Sequence, residues 1–229
     1  MALQNNMLKD TPRYNRQMDI VDVDKLSIPI HVIGVGGIGS WTTMLLAKMG
    51  CSNITVYDFD EVEDHNVASQ FYKSNQLGFL KTESLRSNVI EQTDITIKIG
   101  DVEKEKDISE GIVIIAVDSM QMRRELNEMF KDKDLFIIDG RMGGLQAEVY
   151  CAIASKYEPT LVANDDEVEH EICTAKAISF NCAIIGGMIT NYVRLYVNEM
   201  LDLSLHSERT FLFDNVWLLK PKKEHVSAQ

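Results

Sequence analysis

The sequence has no C-x-x-C pair, no long unbroken apolar run, no surplus of basic residues and no internal repeat. Each absence closes off a class of function. The four cysteines, at positions 51, 151, 173 and 182, are scattered, so they offer no zinc-ligand spacing and read as free thiols in a reducing compartment. Lys and Arg number 23 against 35 Asp and Glu, a formal net charge of −12. That balance argues against nucleic acid as the main partner, because binding a phosphate backbone needs clustered cations. The stretch 177 to 201 is interrupted by Asn181, Asn191, Arg194, Asn198 and Glu199, which predicts a buried or half-buried helix rather than a membrane span. The opening residues, Met1-Ala-Leu-Gln-Asn-Asn, are polar and carry no signal-peptide core, so a cytoplasmic location is expected.

What is present is an ordinary globular balance, 45% hydrophobic and 25% charged, in 229 residues, enough for one sizeable domain. Within it, His31-Val-Ile-Gly-Val-Gly-Gly-Ile-Gly-Ser40 carries the most information. An apolar run from Ile28 to Val35 reads as a buried strand, glycines follow at 34, 36 and 39, and a helical segment runs from Trp41 to Met49. Strand, G-x-G-x-x-G, helix is the context in which backbone N–H groups and a helix N-terminus hold phosphate. A second strand, Ile54 to Tyr57, then delivers Asp58, whose carboxylate can accept hydrogen bonds from ribose hydroxyls.

Residues 1–27 are expected to form an N-terminal arm and 28–219 a single domain, with a disordered tail at 220–229. Helical spacing at 81–92 and 120–130 alternates with strands at 95–99, 112–117 and 135–138, which predicts a doubly wound α/β, Rossmann-like, mostly parallel sheet. The segment Gly140 to Gly144 is too short for a crossover helix, so the strand at 145–154 must pair antiparallel and extend the sheet on its C-terminal side. Six acids against one lysine between 155 and 171 predict a solvated crossover connection, about 155–176. A hairpin is expected from 209–213 to 216–219.

A dehydrogenase needs little beyond the glycines and Asp58. This chain adds Asp60, Lys81 at a helix start and Asp118 at the end of an apolar strand. The carboxyl ends of the strands in an open α/β sheet meet at one crevice, so these groups converge there. A lysine for phosphates and carboxylates for ribose and Mg2+ suit a nucleoside triphosphate better than a nicotinamide or flavin cofactor.

With Arg13-Tyr-Asn-Arg16-Gln17, Gly34-Val-Gly-Gly-Ile-Gly39, Asp58-Phe-Asp60, Asn66, Gly78-Phe-Leu-Lys81 and Val117-Asp118 in this order, the chain resembles the ThiF/MoeB/HesA superfamily. The resemblance implies an adenylyltransferase that uses ATP and Mg2+ to activate the C-terminal carboxylate of a ubiquitin-like or sulfur-carrier protein, often as a homodimer. It implies that Gly34, Gly36, Gly37, Ile38 and Gly39 hold phosphates, that Asp58 holds ribose with Asp60 also in the cofactor site, and that Asn66 and Lys81 reach the phosphates. Asp118 would position Mg2+, and Arg16 would reach the partner subunit's triphosphate.

Two departures stand out. The family pattern Asn-x-x-Arg-Gln reads Asn66-Val-Ala-Ser69-Gln70 here, so a guanidinium is missing. Arg141 is either its substitute or a surface loop residue, and the loss also fits a degenerate scaffold half of an activating heterodimer. The family's zinc-binding cysteine pairs are absent, so no zinc is expected. Cys173 resembles the catalytic cysteine of the simpler activating enzymes. A nearby helix N-terminus and Lys176 would lower its pKa; the alternative is an unreactive thiol at a helix edge. His170 reads as a solvated histidine, and adenylation of a small carboxylate or peptide is the alternative activity.

Overall fold

A computed structural model describes residues 12–101, 107–143, 146–158, 161, 177–203 and 207–212. Strands β1 (Ile30–Ile33), β2 (Ile54–Tyr57), β3 (Lys98–Ile99), β4 (Gly111–Ile115), β5 (Leu135–Gly143), β6 (Gln146–Ile153) and β7 (Ser207–Leu212) form one sheet in the order β3-β2-β1-β4-β5-β6-β7. The first five pair in parallel, and β6 and β7 pair antiparallel beyond β5. Helices α1 (Gly37–Met49), α2 (Asp64–Val67), α3 (Lys81–Thr93), α4 (Met120–Phe130) and α5 (Ser179–Val197) join them, with short 3-10 turns at Pro12–Tyr14, Val23–Lys25, Ser74–Gln76 and Ala154–Lys156.

Strand periodicity sorts the core into two layers. In β5, Phe136 and Ile138 face the layer that includes Leu46, Leu85, Ile185 and Ile189 from α1, α3 and α5. Leu135 and Ile137 face Leu126 and Phe130 of α4 on the other side. Helix α4 begins where Ser119 accepts a hydrogen bond from the Met122 N–H, 3.2 Å, and it buries Arg123, Leu126, Asn127 and Phe130 at helical spacing. Helices α1 and α5 run side by side in the same direction. A Cβ on Gly186 would lie 3.0 Å from the Thr42 nitrogen, and one on Gly37 would lie 3.0 Å from Cys182 Sγ.

Register aligns the functional ends. Ile33 pairs with both Tyr57 and Ile115, and Ile115 pairs with Asp139, so β1, β2, β4 and β5 deliver Gly34, Asp58, Asp118 and Asp139 to one edge of the sheet. The third predicted strand shortens to Lys98–Ile99, and the fifth runs on to Gly143, past the Asp139-Gly140 pair that reads as its end. The arm packs on the opposite edge, burying Tyr14, Val21, Val23 and Leu26. Among the described residues no helix is long and apolar enough to cross a membrane. The second half of the predicted hairpin and the tail lie outside the described residues.

Candidate active site

The glycine turn is built by close backbone contacts. Gly34 has φ +83°, and a Cβ there would meet the Ala116 carbonyl oxygen at 2.7 Å. A Cβ on Gly39 would lie 1.9 Å from the Gly34 oxygen. Gly36 stands just ahead of α1, where the first N–H groups of the helix lack intrahelical acceptors and the dipole favours an anion. A Cβ on Gly36 would have nothing nearer than 3.9 Å, so the cradle is open at that point.

Asp58 braces this turn. Its Oδ2 accepts the Val35 N–H at 2.8 Å and its Oδ1 accepts the Asp60 N–H at 2.9 Å. The Val35 carbonyl in turn accepts the buried Tyr72 hydroxyl at 2.6 Å. Burial first, then the charges of Asp58 and Asp60, push the Tyr72 phenol upward, so it stays a neutral donor. Lys81 has little exposure; its Nζ lies 2.7 Å from Asp60 Oδ2, and its N–H donates to the Asp60 carbonyl at 2.8 Å. An ammonium so placed, beside an exposed carboxylate, can turn toward phosphate without moving the backbone.

Asn66 is buried behind this loop, where its Oδ1 accepts the Glu63 N–H at 2.9 Å and closes a capping box. Ser69 is buried, and its carbonyl accepts the Trp41 Nε1–H at 2.9 Å. Asp118 follows β4, exposed and without an ion pair among the described residues. One free carboxylate beside phosphate oxygens is the donor set Mg2+ takes, so Asp118 fits that ion.

A buried charge network lies beneath Asp118. Asp139, fully buried, accepts from Arg123 Nε at 3.0 Å, Arg141 Nε at 2.7 Å and the Tyr157 hydroxyl at 2.7 Å. Burial alone would push the Asp139 carboxyl up, but the two guanidinium groups and Tyr157 outweigh it and hold it below the usual carboxylate range. Arg123 Nη2 also donates to the carbonyls of Val117, 2.6 Å, and Gly140, 3.2 Å, tying the ends of β4 and β5 together. Arg141 stacks 4.0 Å over the Tyr150 ring on the α4 side of the sheet, whereas Ser69 packs against α1 on the other side.

Gly34, Gly36, Gly37, Ile38, Gly39, Asp58, Asp60, Lys81 and Asp118 thus gather at one end of the sheet, with Asn66 just behind. Arg16 does not join them. It is exposed on the arm beside Gln17, which bonds the Met49 carbonyl at the far end of α1. Cys173 and His170 lie outside the described residues. Tyr72, Arg123, Asp139 and Tyr157 were not singled out from the sequence; the only available signal was the charged Asp139-Gly-Arg141 triplet in an apolar strand.

Comparison with known proteins gives this crevice its context. The chain is 35% identical over 71 residues to ubiquitin-like modifier-activating enzyme 5 of Caenorhabditis elegans, covering 31% of this chain and 17% of that enzyme. It spans less than a fifth of the length of the curated relatives it matches. Among solved structures, E. coli MccB with MccA-N7isoASN superposes with a TM-score of 0.75 at 17% identity, covering 89% of this chain and 69% of that one. E. coli MccB with ATP gives 0.71 at 16% identity, covering 91% and 70%. At that identity the likeness establishes the fold. Residues 14–216 match the ThiF family from the arm through the crevice to the last strand, and the chain belongs to that family.

Proposed function

We propose that the protein adenylates a carboxylate with ATP, and that the carboxylate is the C-terminus of a ubiquitin-like or sulfur-carrier protein. The observation that carries this reading is the single crevice joining the glycine turn, the Asp60–Lys81 pair and Asp118. In the reaction a carboxylate oxygen attacks the α-phosphorus of ATP, the bond to the bridging oxygen breaks, and pyrophosphate leaves with that electron pair. Backbone N–H groups of the glycine turn hold the phosphates, and Lys81 meets the charge that builds on the leaving group. Asp58 has one carboxylate serving both Val35 and its own loop, which leaves its outer lone pairs for ribose. Mg2+ held by Asp118 would neutralise phosphate charge.

Cys173 is the proposed second nucleophile: its thiolate attacks the acyl carbon and AMP departs, leaving a thioester. Ala177 lies over the phosphate loop, its Cβ 4.0 Å from where a Cβ on Gly37 would stand. Arg16 is separated from its own crevice by α1, 13 residues or about 20 Å of helix. It therefore acts in the crevice of a second subunit in a homodimer. A scaffold role in a heterodimer is favoured by one observation, the buried Ser69 where the family pattern carries a cation.

Titration of the full chain with ATP and with NAD, each with Mg2+, tests the reading. ATP should saturate one site per chain, and Lys81→Met and Asp118→Ala should weaken it at least tenfold. Tighter binding of NAD, or ATP affinity indifferent to both substitutions, would overturn it.

A further inference from the structure

The segment from Ser69 to Tyr72 is stitched to the glycine turn and to the first residues of α1. The Ser69 carbonyl accepts the Trp41 Nε1–H at 2.9 Å, and the Phe71 N–H donates to Ser40 Oγ at 3.0 Å. The Tyr72 hydroxyl donates to the Val35 carbonyl at 2.6 Å. Phe71 packs edge-on against the Trp41 ring, centroids 4.9 Å apart, and its carbonyl accepts Asn88 Nδ2 of α3 at 2.9 Å. Between these ties, the Gln70 N–H donates to the Asn66 carbonyl at 2.8 Å, and the Gln70 carbonyl accepts the Tyr72 N–H at 2.9 Å. The backbone of Gln70 is therefore fixed on both sides, and its side chain leaves from a rigid frame.

That frame does not use the end of the side chain. Gln70 Oε1 is buried with no hydrogen-bond partner among the described residues. Gln70 Nε2 faces the phosphate turn, 3.9 Å from where a Cβ on Gly36 would stand. Leaving a buried acceptor unpaired is costly, so an amide held this way calls for a role beyond packing. Its N–H groups join the unpaired N–H groups at the start of α1, and a set made of donors takes an anion. The reverse orientation of the carboxamide would aim a carbonyl oxygen at phosphate, so an anion selects the donor-forward one.

Arg141 is committed elsewhere. Its Nε lies 2.7 Å from Asp139 Oδ2 and its guanidinium stacks on Tyr150, on the α4 side of the sheet. Ser69 is buried, so at the open side of the turn the side chain that arrives is its neighbour's.

We propose that Gln70 is a phosphate-binding residue of the crevice, its Nε2 donating to a non-bridging oxygen of the triphosphate beside Gly36. A neutral amide thus stands where the family pattern supplies a guanidinium from position 69. The identity of the anion rests on the adenylation reading; the donor role of Gln70 does not. Because the amide carries no charge, Lys81 and Mg2+ meet more of the phosphate charge here, and the charge placed at position 70 governs affinity.

The test is calorimetric titration of the full chain with sodium tripolyphosphate, ATP and adenosine, each with Mg2+. Gln70→Leu removes the donor at similar size and should weaken tripolyphosphate and ATP about fivefold, with adenosine affinity unchanged. Gln70→Glu keeps the shape but adds a like charge, and should weaken both anions by on the order of thirtyfold. Gln70→Arg should bind tripolyphosphate at least as tightly as wild type, with a steeper decline in salt. Packing alone would not order these variants by the sign of their charge. Equal tripolyphosphate affinity in all four chains, or equal losses in the three variants, overturns the role of Gln70. The expected order in a wild type that shows no carboxylate-dependent pyrophosphate exchange upholds it and overturns the adenylation reading. A wild type that binds neither anion overturns both.

Discussion

Replacing Asp139 by Asn probes the least visible support of the crevice. Asp139 is fully buried and accepts three hydrogen bonds, two from guanidinium groups, at 2.7 to 3.0 Å. An amide keeps the shape but turns one acceptor into a donor facing a donor, and it removes the negative charge that Arg123 and Arg141 share. Removing one partner of a buried ion pair costs about 3–5 kcal/mol. In a domain of this size that loss lowers the midpoint of thermal unfolding by on the order of 10 °C. Urea titration should show a lower midpoint at unchanged slope. Tyr157→Phe removes only one neutral donor and should cost about 1 kcal/mol. The pH dependence has a definite sign. The folded pKa of Asp139 lies below the unfolded value, so its contribution is complete above roughly pH 4 and is lost as pH falls through the folded pKa. The gap between wild type and Asp139→Asn should therefore narrow in acid. A loss below about 1 kcal/mol, typical of an exposed pair, would refute the buried network.

Four further outcomes are expected. Gly39→Ala should abolish ATP binding, measured calorimetrically, because its Cβ would fall 1.9 Å from a backbone oxygen. Asp118→Ala should keep the wild-type circular dichroism spectrum and lose Mg2+-dependent pyrophosphate exchange; unchanged exchange would remove Asp118 from the site. Mixing Arg16→Ala with Asp118→Ala chains should restore part of the exchange, since one of the two shared sites is then intact. Cys173→Ala should retain exchange yet lose a carrier conjugate that survives denaturation and is cleaved by thiol; a conjugate on the variant would make Cys173 structural.

Local patterning made much of the fold legible. The run Ile112 to Val117 marked a central strand because both its faces are covered, and the helix at 120–130 matched residue for residue because its apolar spacing is closed by a serine cap. Asp139-Gly140 misled the reading of β5, since a polar residue beside glycine reads as a turn. Arg123, from 16 residues away, supplies the charge that lets Asp139 remain in a strand. Tyr72 was invisible for the same reason: the carbonyl it holds is 37 residues distant. The glycines, Asp58 and Asp118 were legible because each sits where a strand ends, and Lys81 because it opens a helix; such element ends are what local periodicity marks. For Asn66 the structure adds a second task, the capping box, to the phosphate role that the family resemblance implies.

The central claim is tested most directly by exchange of labelled pyrophosphate into ATP. The full chain would be incubated with Mg2+, ATP and a small β-grasp carrier protein ending in Gly-Gly, with the same protein lacking its last glycine as the control. The account predicts exchange that requires the intact C-terminus and disappears in Asp118→Ala. Exchange independent of the carboxylate, or none in a wild type that binds both ATP and the carrier, would contradict it.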